Sequence, residues 1–344
     1  MEAISIERLN ENDIDAWNAY VDKHPQSSPY HRAEIKTLVK KVFGHDGYYL
    51  VAKENNQIVG VLPTIKQKSL LFGKRLLSLP YFNYGGVLAD SDAIANLLLL
   101  KMSDFARSEG IGSIEYRETE ARGDYLARTD KVAMYLDLPE SPEALASQIG
   151  SKRRSQIKRP QRENPRIACG GKELLDDFYR VFSENMRDLG TPVYSRKFFA
   201  SMLDTFPKES TLIVIYINEQ AVSCAYVLGY KDRAEIPWAS TLRRVNNISV
   251  NMLLYWEVLS HVIRAGYKQF DFGRSTVDSG TYHFKRRWGA QPVQLHWNYW
   301  LDHGVALPDV KPDNPKYRLL INAWQKLPLA ISNLLGPLLA KDLP

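Results

Sequence analysis

The chain has 344 residues, 44% of them hydrophobic and 24% charged, and a net charge of +6. This length favours two domains with ample core, and the balance excludes an intrinsically disordered chain. No window reaches the roughly 18 apolar residues of a membrane-spanning helix, and Met1 to Asn10 carries acids and no apolar run of the kind that marks a signal peptide.

In chain order, "YYLVAKENNQIVGVLPTI" predicts two strands joined at Asn55-Asn56. "RLLSLPYFNYGGVLA" is extended, with a break at Gly85-Gly86. "DAIANLLLLKMSDFARSEG" predicts a helix capped at Asp92 and stopped at Gly110, and "IGSIEYRET" returns to strand. Ser141 and Pro142 open a helix as N-cap and first-turn proline, and Pro160 stops or kinks the next one. In "ELLDDFYRVFSENMRDLGTPVYSRKFF", Leu174, Phe178, Phe182 and Leu189 are spaced for one buried face. Gly190 is the C-cap and Ser195 starts another helix. "STLIVIYINEQAVSCAYVLGY" is again strand, turn at Asn218-Glu219, strand, and "RAEIPWAST" is extended. "SVNMLLYWEVLSHVIRAG" predicts a helix capped by Ser249, striped by Met252, Trp256, Leu259 and Ile263, and stopped at Gly266; "YKQFDFG" is the next strand. The same order of elements thus occurs twice, about 160 residues apart, which is too long for a solenoid repeat and predicts two copies of one α/β unit. After Trp300, "NAWQKLPLAISNLLGPLLAKDLP" is amphipathic and broken by Pro328 and Pro337. It predicts a tail packed on the body, with an interfacial membrane contact as the alternative.

Charge is concentrated. Between Ser151 and Arg166 lie Lys152, Arg153, Arg154, Lys158, Arg159, Arg162 and Arg166 against the single acid Glu163, so this segment accounts for the whole excess of the chain. Either it is a solvated helix face, or it attracts a polyanion.

Several chemistries lack their parts. Neither G-x-x-x-x-G-K-[ST] nor G-x-G-x-x-G occurs, so nucleotide hydrolysis and dinucleotide redox chemistry lose support. The seven histidines never stand at i, i+4 on a helix, and no metal site is expected. His283 reads as a hydrogen-bonded structural residue. The two cysteines, Cys169 and Cys224, form no disulfide framework and suit unpaired thiols in a reducing cytoplasm. A strand, a turn and a helix N-terminus also build the acetyl-CoA site of N-acetyltransferases. Here that place reads "RRVNNISVN", Arg243 to Asn251, without a glycine.

The densest functional signal is "DFGRSTVDSGTYHFKRRWG", Asp271 to Gly289. Arg274 and Ser275 stand where the backbone leaves a sheet, the usual ligand side of open α/β folds. Tyr282, Lys285, Arg286 and Arg287 follow on a helical turn. Lys285 is suited to stabilise an oxyanion by direct charge, and Asp271 to orient or deprotonate an attacking amine. The alternative is an ordinary salt-bridge cluster.

"GTYHFKRRWG" resembles the Gly-x-x-x-Phe-Lys-x-x-Phe/Trp-Gly signature of the Fem family of peptidoglycan-bridge aminoacyltransferases. With "LLFGKRLLSLPYFNYGGVLAD", "ELLDDFYRVFSENMRDLGTPVYSRKFF", "AEIPWAST" and "NMLLYWEVLSHVIRAGY", the chain resembles more closely the FemAB-like proteins associated with exosortase/PEP-CTERM exopolysaccharide systems, over most of residues 25–300. The resemblance implies an α/β fold of tandem duplicated GNAT-like domains, each a mixed central sheet flanked by helices. They would span residues 1–140 and 141–304, with the catalytic site in the second and a tail at 305–344. It implies acyl or aminoacyl transfer to an amine or hydroxyl of a cell-envelope or exopolysaccharide precursor. The functionally important lysine of Fem proteins falls on Lys285, and their basic helical region on Arg153 to Arg162. Their helical arm is reduced here to Ser151–Pro165, interrupted by Pro160.

The expected catalytic residues are Lys285 and Asp271. Substrate is expected to meet Arg274, Ser275, Tyr282, Arg286 and Trp288; Arg153, Arg154 and Lys158 would hold an anionic donor or diphosphate carrier. Asn83, Tyr84, Gly85 and Gly86 would line an acceptor groove, since glycine permits close backbone approach. No tightly bound cofactor is expected; the donor is aminoacyl-tRNA or acyl-CoA. The expected partners are an anionic or lipid-linked precursor, tRNA and a peripheral contact with the inner membrane, from the cytoplasm. The rival functions are an acetyl-CoA-dependent sugar N- or O-acetyltransferase and an inactive scaffold that binds precursors or RNA.

Overall fold

The computed structural model describes residues 4–69, 73–123, 125–307 and 315–342. Residues 70–72, which open "LLFGKRLLSLPYFNYGGVLAD", and 308–314 and 343–344 of the tail lie outside the described residues. The chain forms two compact units. The first runs to Val132 and resumes at Gln294; the second runs from Ala133 to Val293 and takes up the C-terminal helices. Each is a mixed sheet structure flanked by helices, the architecture expected from the sequence.

In the first unit, Asn55 and Asn56 both adopt the left-handed region (φ 50° and 64°). Asparagine tolerates it, and the turn joins the antiparallel strands Leu50–Glu54 and Gln57–Leu62. These belong to a four-stranded sheet. The helix Asp92–Ser108 packs on it through Ile94, Leu98, Leu99 and Met102, each burial contributing about 2 kcal/mol. The cap of this helix is Ser91, one residue before the expected Asp92; its hydroxyl accepts from the Ile94 N–H. A second, six-stranded sheet contains Ser113–Glu118 and, out of sequence order, His296–Leu301, paired antiparallel. The chain therefore leaves this unit, builds the other, and returns to complete it.

The second unit has an eight-stranded sheet. It includes the long hairpin Ser210–Ile217 and Gln220–Tyr230, turned at Asn218 and Glu219 (φ 49° and 58°). The helices Leu175–Leu189 and Val250–Arg264 both pack on this hairpin. Phe198, Phe199, Tyr226 and Trp238 meet edge to face at 5.2–5.3 Å, and the Tyr226 hydroxyl is satisfied by Ser210 at 2.7 Å. Three expectations shift. Leu189 is 53% exposed. The buried stripe of Val250–Arg264 is Leu253, Leu254, Val258, Leu259, Val262 and Ile263, with Met252 and Trp256 only half-buried. Ser249, at φ 65°, makes no capping bond.

The helices Pro315–Gln325 and Leu329–Ala340 lie against Leu175–Leu189. Pro328 precedes the second of them, whereas Pro337 sits inside it without ending it. Among the described residues no helix is long and apolar enough to cross a membrane.

Candidate active site

Strands Arg233–Thr241 and Gln269–Asp271 run parallel through three pairs: Arg233 with Gln269, Ala234 with Phe270, and Glu235 with Asp271. Beyond the last pair the first strand continues to Thr241 while the second turns away through Phe272. Two sequence features mark the point where this pairing ends, called the wedge below. Pro237 has no N–H to offer a neighbour, and it lies where the register against Gln220–Tyr230 slips, between the pairs Glu235–Leu228 and Trp238–Tyr226. Gly273 takes φ 74°, which turns the chain after Gln269–Asp271 away from its parallel pairing with Arg233–Thr241. The wedge is thus at the carboxyl end of parallel strands, where open α/β sheets bind ligands.

Charge fixes the loop that follows. Asp271, 1% exposed, accepts from the Gly273 N–H at 2.7 Å. The helix Gly280–Arg287 starts at Ser279, whose hydroxyl accepts from the Tyr282 N–H, and ends on three basic residues that suit its dipole. From it the buried Lys285 reaches back, and its ammonium donates to the carbonyls of Gly273 at 3.0 Å and Arg274 at 2.9 Å. Burial pushes the Lys285 pKa down to about 8; Asp271 and Glu235 oppose the fall and Arg274 adds to it. Residues paired across a ladder share a face, so the buried Glu235 stands beside Asp271. The Ser275 hydroxyl is buried and has no hydrogen-bond partner among the described residues.

The structure therefore brings Asp271, Arg274, Ser275 and Lys285 together at one strand end. Two of the three Lys285 N–H donors are held by backbone carbonyls, so the side chain clamps the loop. Arg274 is exposed and Tyr282 half-buried. Arg286 is exposed and bonds Gln291 at 2.6 Å. Trp288 is 2% exposed and packs near the rings of Tyr255 and Phe284, which makes it a core residue. The segment without glycines, Arg243–Ile248, is a short 3-10 helix tied to Leu175–Leu189 by Arg244, which pairs with Glu184 at 3.0 Å, and by Arg243, which donates to the Asp188 carbonyl.

The basic segment forms the helix Gly150–Lys158 and the turn Pro160–Glu163. A hollow of about 560 Å³ is lined by Ser151, Arg154, Ser155, Lys158, Arg159 and Arg162. None of these four cations is ion-paired with a described carboxylate, and Arg154 donates to the Ala146 carbonyl at 2.8 Å. Arg153 instead turns inward to the Ile149 carbonyl at 2.7 Å.

Asn83, Tyr84, Gly85 and Gly86 lie in the first unit, the first two half-buried. A Cβ on Gly85 would stand 2.7 Å from Leu79 Cβ, and one on Gly86 2.1 Å from Glu118 Cγ. These glycines thus permit tight packing within their own unit. Beside them Arg117, 1% exposed, donates to Glu115 at 2.7 Å and to the Phe82 carbonyl at 2.9 Å, beneath the Trp297 ring. Among the described residues no cluster of His, Cys, Asp or Glu is placed to hold a metal.

Glu235, Arg159 and Arg162 join these groups without having been expected as site residues. For the arginines the signal was present: positions 151, 155, 159 and 154, 158, 162 are adjacent i, i+4 rows of one helical face.

Residues 151–286 match the family described as acetyltransferase (GNAT) domain, and the fold is GNAT-like. The chain is similar to the crystal structure of FemX, with TM-score 0.64 and 12% identity over 92% of this chain and all of that one. It is similar to L-PGS from Bacillus licheniformis, with TM-score 0.56 and 13% identity over 94% of this chain and 99% of that one. A tandem GNAT protein from the clavulanic acid biosynthesis pathway matches with TM-score 0.55 and 11% identity over 89% of this chain and all of that one. At these identities the likeness is one of fold. No curated protein matches the chain.

Proposed function

We propose that the chain transfers an acyl or aminoacyl group from an activated carrier to an amine or hydroxyl of a cell-envelope or exopolysaccharide precursor, in the wedge of the second unit. The observation that carries this is the buried pair Glu235 and Asp271 at the point where the parallel strands part. The acceptor nitrogen or oxygen attacks the carbonyl carbon, and the bond from that carbon to the carrier breaks. Asp271 is engaged with the Gly273 N–H and orders the loop; Glu235 takes the acceptor's proton and passes it to the departing group. Lys285 is a positioning residue, holding Gly273 and Arg274 and lending positive charge to the loop. The hollow around Arg154, Lys158, Arg159 and Arg162 receives phosphates of the carrier or of the precursor. The resemblance to Fem proteins favours an aminoacyl donor and a cytoplasmic reaction beside the inner membrane.

A second reading has its own support. The match of residues 151–286 to an acetyltransferase domain favours acetyl-CoA, against the missing glycines at Arg243–Asn251.

The test offers acetyl-CoA and, separately, aminoacylated tRNA to the purified chain with nucleotide-linked and lipid-linked amino sugars, and follows product mass. Transfer from one donor that falls about a hundredfold in Glu235→Gln supports the proposal. No transfer from either donor, or equal rates in the variant, overturns it.

A further inference from the structure

The helix Leu329–Ala340 is turned inside out. Its small residues Ser332, Gly336 and Ala340, four apart, are buried. Gly336 is so close to the body that a Cβ would stand 2.9 Å from Val193 N. Asn333 donates to the Ser183 hydroxyl at 3.4 Å. The large residues look outward: Ile331 is 43% exposed, Leu334 71%, Leu335 40%, Leu338 57% and Leu339 41%. The preceding helix adds Leu319 at 74% and Leu320 at 66%. A helix facing water shows the reverse pattern.

We propose that this face docks onto an anionic phospholipid surface, the helix lying in the interfacial layer with its leucines among the acyl chains. No residue of Leu329–Ala340 is ionisable, while Lys326 precedes the helix and Lys341 follows it. An apolar face led in by the exposed Lys326 matches a bilayer edge, where a long cationic side chain reaches the phosphates. At 1.5 Å per residue the helix is about 18 Å long, too short to span and suited to lying flat. A protein partner is a poorer match. Protein interfaces draw on aromatic and arginine anchors with a polar rim, and this face presents five aliphatic side chains with no group to fix a register. The proposal is independent of the acyl-transfer reading.

The test is flotation of the full chain with vesicles of phosphatidylglycerol and phosphatidylcholine, beside the double variant Leu334→Gln, Leu338→Gln. Both positions are solvent-facing, and an unchanged circular dichroism spectrum and melting temperature verify the fold. The expected result is co-flotation of the wild type and at least a tenfold loss of bound fraction in the variant. Three results overturn the proposal: no flotation of the wild type, equal flotation of both proteins, or a wild-type dimer in sedimentation that the same substitutions dissociate, which would assign the face to a second copy.

Discussion

Glu235 and Asp271 form the last pair of a parallel ladder, and both are buried where the two strands part. Asp271 also accepts from the Gly273 N–H at 2.7 Å, which ties it to the loop that follows. Glu235→Gln keeps shape and removes a proton acceptor, so kcat is expected to fall about 10²-fold or more with KM little changed. Asp271→Asn leaves the loop less firmly held and is expected to raise KM as well. Steady-state kinetics of the two variants separates the roles.

Lys285 sets a pH dependence. Its pKa in the folded chain is about 8, below the ordinary 10.5. Between these values the unfolded chain binds more protons, so this residue's contribution to stability rises with pH across that window. The ammonium that clamps Gly273 and Arg274 is lost over the same range. Activity is therefore expected to decline above about pH 8, whereas Lys285→Met is slower throughout and lacks that limb. Melting temperatures from pH 7 to 10.5 should show the wild type gaining on the variant as pH rises.

Gly86 is required by contact. Alanine there would place its Cβ 2.1 Å from Glu118 Cγ, and Glu118 is held by Asn298 at 2.7 Å and Arg122 at 3.1 Å. Gly86→Ala is expected to cost about 1–3 kcal/mol, read as a lower midpoint in urea.

The basic hollow makes a salt-dependent prediction. Arg154 and Lys158 are exposed and make no described ion pair. Reversing both to glutamate should weaken retention on heparin and reduce the slope of log affinity against log salt by about two, with stability unchanged.

Local features of the fold were legible in the sequence. Asn55-Asn56 and Asn218-Glu219 mark turns because few residues adopt left-handed backbone, and Ser141, Ser195, Gly110 and Gly190 mark helix ends for similar local reasons. Long-range features were not. His296–Leu301 pairs with Ser113–Glu118, a partner that no neighbouring residue announces. Glu235 looks like a stray acid in an apolar strand until the end of the parallel ladder gives it a neighbour. Trp288 follows a polar turn, yet packing takes it into the core. In the tail, periodicity groups the leucines on one face but does not say which face looks inward.

The most direct test of the central claim is a crystal structure with a bound donor, either coenzyme A or a hydrolysis-resistant aminoacyl-nucleotide. The expected result is a ligand whose acyl end lies between Ile236–Thr241 and Phe272–Arg274, within hydrogen-bond reach of Glu235. A donor held elsewhere, with that wedge closed over Asp271, would contradict it.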